Sequence, residues 1–127
     1  MKLYDPFVVL FLNGAFDLAC AASILVEGGS VVHSRNALAQ LHPFMYTQPG
    51  HATLNRHVAY MVGYCCAARL YAATGGHWPL AGITYVMEAA FVAHEAALYH
   101  TMLQVRAVAV VGMCVGMAGL MWMPLLG

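Results

Sequence analysis

Asp17, Glu88, Glu95 and Arg69 stand inside long apolar runs, where an ionisable side chain must be paired, protonated or turned toward something other than lipid. At a helix centre in a bilayer each costs about 2.5–3.5 kcal/mol, so each needs a purpose. Glu88 and Glu95 are seven residues apart and share one helix face, about 10 Å apart along the axis. Asn13 and Asp17, four apart, share another. One arginine and three scattered acids make no relay chain for protons or ions. The chemistry expected is pairing, with Arg69 inside a bundle against Asp17 or a carboxylate of the Glu88–Glu95 stretch. Arg69 with Glu95 is the central pair expected. The same residues would also serve contacts with polar groups of a partner protein, and an Arg69 that snorkels would meet lipid phosphate.

Other reactive residue types fall into no catalytic pattern. The seven histidines include His51 and His57, and His94 and His100, each pair six apart and so on different helix faces. HxxxH and HExxH spacings are absent, and Cys65-Cys66 are adjacent rather than arranged as CxxC. A haem between histidines of two different stretches is the arrangement these spacings leave open, but no cofactor or metal is expected. Cys20, Cys65, Cys66 and Cys114 sit in apolar runs, where they act as small apolar residues. There is no GxSxG, P-loop or GxGxxG, so no catalytic residues and no enzyme are expected.

The elements that must position these residues follow from composition. Of 127 residues 62% are hydrophobic and 8% charged, against roughly 45–50% and about 25% in soluble domains. The mean hydropathy is +0.72. Five basic and five acidic residues give no net charge, which excludes a nucleic-acid partner held by phosphate neutralisation. Four apolar stretches, near residues 7–26, 55–73, 80–99 and 106–126, match the roughly 17–25 residues that cross a bilayer. The fold expected is all-α: one polytopic membrane domain over residues 1–127, four transmembrane helices in a bundle with a longer first connecting loop. That loop holds Arg35 and a short helix expected near residues 34–41.

Arg35, Arg56 and Arg106 fall on the side opposite both termini, where Lys2 is the basic residue, so the positive-inside rule turns the long loop toward cytoplasm or matrix. These three arginines and Trp78 are the expected interface and headgroup residues. Gly112, Gly116 and Gly119 form a small-residue stripe for helix packing, either inside the bundle or against a partner.

At this point the chain resembles the ergosterol biosynthetic protein 28 family. Arg56 and Arg69 keep that family's thirteen-residue spacing across the second span, the latter followed by Leu70-Tyr71-Ala72-Ala73. Thr84, Glu95, Tyr99 and Thr101 match its third span, Asn13 a span-one asparagine, and Tyr46-Thr47-Gln48-Pro49 a stretch ahead of the first arginine. The chain departs from the family at Val58, Met61 and Cys65-Cys66, where aromatics are usual, and at Phe91, which replaces a histidine. The resemblance implies a non-enzymatic scaffold that tethers the sterol C4-demethylation enzymes in the endoplasmic reticulum membrane. The partners expected are therefore other integral-membrane proteins and lipids. The alternative is an accessory subunit of a respiratory, ATP-synthase or photosynthetic complex, with a structural, lipid-binding role, for which the mitochondrial inner membrane is one location.

Overall fold

Apolar runs free of interior proline satisfy their own backbone most cheaply as helices. The computed structural model describes residues 5–26, 52–99 and 104–123, and all its regular elements are helical. They are α1 (Pro6–Val26), α2 (Ala52–Gly75), α3 (Trp78–His94), which continues as a π-helical turn (Glu95–Tyr99), and α4 (Gln104–Trp122). Arg35 and the helix expected near 34–41 lie outside the described residues.

Local chemistry sets the ends. Asp5 caps α1: its Oδ1 accepts from the Phe7 N–H at 2.9 Å, and Pro6 occupies the first helical position. Between α2 and α3, Gly76 takes φ 68°, a left-handed conformation that glycine adopts without strain. The His77 N–H then donates back to the Ala72 carbonyl at 2.9 Å, and Pro79 sits in the first turn of α3. The result is a tight antiparallel hairpin.

α1 packs along α2 and α3 along α4, and the two pairs meet where α2 faces α3. Two apolar layers fill the interior. One gathers Ile24, Val58, Val62, Val92 and Ala107 at one end; the other gathers Leu10, Ala72, Tyr85, Cys114 and Met121 at the opposite end. Each draws on all four helices. Between the layers lies a belt of polar side chains.

Two glycines allow close approach between helices. A Cβ at Gly14 would stand 3.2 Å from the Leu70 side chain and 3.7 Å from the Cys66 carbonyl, and one at Gly82 would stand 2.5 Å from Trp122 Nε1. Gly14→Leu is therefore expected to force α1 off α2 at a cost of about 1–3 kcal/mol. Thermal unfolding in detergent reads this as a lowered midpoint, and an unchanged midpoint would contradict the seating of α1 on α2.

α1 and α4 are long and apolar enough to cross a membrane, with mean hydropathies of 2.0 and 1.8. Only 28% and 22% of those windows are buried inside the bundle, so most of their apolar surface faces outward. The sequence leads to an expectation of four such helices. α2 falls short because Asn55, Arg56, His57 and Arg69 dilute its hydropathy, and α3 because its regular α-helix is 17 residues long before the π turn begins.

Candidate functional site

The polar belt is built around Arg69. Its side chain is 1% exposed, among the largest fully buried in the protein, and each of its three nitrogens donates a hydrogen bond. Nη1 donates to Asp17 Oδ2 of α1 at 3.3 Å, Nη2 to Glu88 Oε2 of α3 at 2.5 Å, and Nε to Thr84 Oγ1 at 3.0 Å. The guanidinium carbon stands 3.8 Å above the centroid of the Tyr85 ring. A planar fork with donors on two edges and a π-face suits this site in a way a lysine ammonium would not.

The surrounding groups are themselves held. The Thr84 hydroxyl donates to the Ala81 carbonyl at 2.8 Å, which leaves its lone pairs toward Arg69. The Tyr85 hydroxyl donates to Asn13 Oδ1 at 2.5 Å, joining α3 to α1. Asn13 also hydrogen-bonds Asp17, and the Cys114 thiol of α4 lies in hydrogen-bonding reach of Glu88. All four helices thus meet through side chains at one level. Asp17 and Glu88 keep 14% side-chain exposure each. The cluster holds two carboxylates and one guanidinium.

Such an arrangement can lock helices in register. Among the described residues no three of His, Cys, Asp and Glu gather as they would around a metal ion. Cys20, Cys66 and Cys114 are buried free thiols.

The structure joins Asn13, Asp17, Arg69 and Glu88 and leaves Glu95 apart. The Arg69–Glu95 pair expected from the sequence is corrected: Glu95 lies in the π turn, where its Oε1 is 3.8 Å from His94 Nδ1. The tight turn after Gly75 explains this. Counting outward from it, six residues back reaches Arg69 and six forward from Trp78 reaches Thr84. Glu95 is eleven residues past Thr84, about 16 Å along the helix, beyond the reach of the Arg69 side chain. The same counting identifies Thr84 and Tyr85 as members of the network. Tyr85 escaped the sequence reading because a tyrosine in an apolar run is read as packing.

Arg56 sits in the first turns of α2, with Nη2 3.4 Å from Thr53 Oγ1. Arg106 is exposed at the start of α4, and Trp78 opens α3 and packs on the apolar layer at that end. Gly112, Gly116 and Gly119 face outward, with nothing within 4 Å of where a Cβ would stand. Packing inside the bundle is therefore not their use; Gly14 and Gly82 fill that role. The chain matches no model of a known protein family, no curated protein and no solved structure.

Proposed function

We propose that the protein is a non-catalytic, four-span membrane protein that holds partner membrane proteins together in a larger assembly. The observation that carries this reading is that Arg69, Asp17, Glu88, Thr84, Tyr85 and Asn13 are engaged with one another across three helices. The buried polar groups are used to fix the bundle, and the outward surface of α1 and α4 is apolar. Phe7, Phe11, Leu12 and Phe16 on α1 and Val105, Val108 and Met113 on α4 are all exposed. Lipid and neighbouring helices suit such a surface. In this reading α2 and α3 with its π turn also cross the bilayer, with Arg69 and Glu88 sheltered inside the bundle.

The family resemblance directs the first test toward sterol-modifying enzymes of the endoplasmic reticulum. Purification of the tagged protein in gentle detergent is expected to bring along sterol-modifying oxidoreductases. Co-purification of electron-transfer or rotary subunits instead would assign the protein to an energy-converting complex. Recovery of a colourful or active isolated chain would overturn the scaffold reading.

A further inference from the structure

The charges of the polar belt do not balance. Two carboxylates, Asp17 and Glu88, meet one guanidinium, so the fully ionised set carries one negative charge in excess. The other titratable groups that act on it are Cys20 of α1, Cys65 and Cys66 of α2, Tyr85 of α3 and Cys114 of α4. A thiol or a phenol is neutral or negative, so none of these offsets the excess. Asp17 lies near the middle of α1, a helix apolar and long enough to cross a bilayer. At that depth an unbalanced charge has no bulk water around it. Both carboxylates also bind terminal nitrogens of the same guanidinium. Carboxylates that share a site in this way share a proton rather than ionise together.

The geometry distinguishes the two. Charge-assisted N–H···O bonds run to about 2.7–2.9 Å. The Glu88 contact, at 2.5 Å, is tight, as an ion pair is, whereas the Asp17 contact is long at 3.3 Å. The Cys114 thiol supplies a further donor to Glu88. Asp17 is bonded instead by the Asn13 amide, which carries both a donor and an acceptor and so serves an acid as well as a carboxylate. Arg69 is 1% exposed, but Asp17 keeps 14% of its side chain accessible, enough for a proton to come and go.

We propose that the cluster binds one exchangeable proton, carried by Asp17. The form that sits in the membrane is then neutral overall: a carboxylic acid at Asp17, a carboxylate at Glu88 and the Arg69 guanidinium between them. Removing either carboxylate leaves one acid group for one guanidinium, and the remaining group ionises. The inference rests on the membrane-spanning reading above, but not on which proteins the assembly holds.

The test is infrared spectroscopy of the full chain in lipid nanodiscs at neutral pH. The expected signal is the carbonyl stretch of a protonated carboxylic acid, shifted in heavy water. Isotope labelling of the aspartate carboxyls is expected to move it and labelling of the glutamate carboxyls to leave it, a comparison that needs no substitution. Asp17→Asn and Glu88→Gln are each expected to abolish the band, whereas Glu95→Gln leaves it. Absence of the band overturns the proposal, as does a band that ignores heavy water, follows the glutamate label or survives Glu88→Gln. Alkaline carbonate washing of the source membranes separates the two ideas. A chain that stays in the membrane without the band refutes the bound proton alone, and a chain that washes off refutes the membrane-spanning reading and the proton with it.

Discussion

Arg69→Leu is expected to remove most of the folded protein from the membrane. The substitution leaves Asp17 and Glu88 facing a site that has lost its countercharge and strips Thr84 of its donor. Breaking a buried ion set by removing one member costs about 3–5 kcal/mol, a large share of the roughly 5–15 kcal/mol that holds a domain folded. Neutralising the whole set is far milder, because no lone charge remains. Arg69→Leu combined with Asp17→Asn and Glu88→Gln should recover part of the accumulation and of the thermal midpoint in detergent. Glu95→Gln, which leaves every Arg69 contact in place, should be clearly less damaging than Arg69→Leu. If Arg69→Leu melts like the parent, or Glu95→Gln is equally damaging, the lock is not where the structure places it.

The second large effect is at Tyr85, which is fully buried beneath the guanidinium. Tyr85→Ala removes the ring, opens a cavity and deletes the cation–π contact, for a loss of about 3–5 kcal/mol. Tyr85→Phe keeps the ring and gives up only the bond to Asn13. Interhelical hydrogen bonds in membranes average about 0.6 kcal/mol, so this variant should remain close to the parent. Asn13→Ala should cost a similar small amount and add little to Tyr85→Phe, since both delete one bond. A phenylalanine variant as unstable as the alanine one would place the stabilisation in the hydroxyl instead.

How legible was this in the sequence? The four helices follow from apolar runs of bilayer length, and an arginine inside such a run had to be engaged. Asn13, Asp17, Arg69 and Glu88 could therefore be singled out by residue type alone. Choosing between Glu88 and Glu95 needed the axial offset of α2 and α3, which the Thr74-Gly75-Gly76 break fixes only once the hairpin is known to be tight. The glycine stripe was ambiguous for another reason. α4 is small or apolar on every side, so periodicity does not distinguish its inner face from its outer one. Gly14 and Gly82, which do allow close approach, differ from the outward glycines in nothing but their surroundings.

The ion cluster also sets the order in which its charges become available during synthesis. α1 leaves the ribosome with Asp17 unmatched, and the match arrives only when α2 has followed it. That first hairpin is electrically balanced, one carboxylate against one guanidinium. Glu88 comes later in the chain and shares the arginine that also meets Asp17. Along the chain the three charges of the cluster thus alternate in sign, one on each of the first three helices.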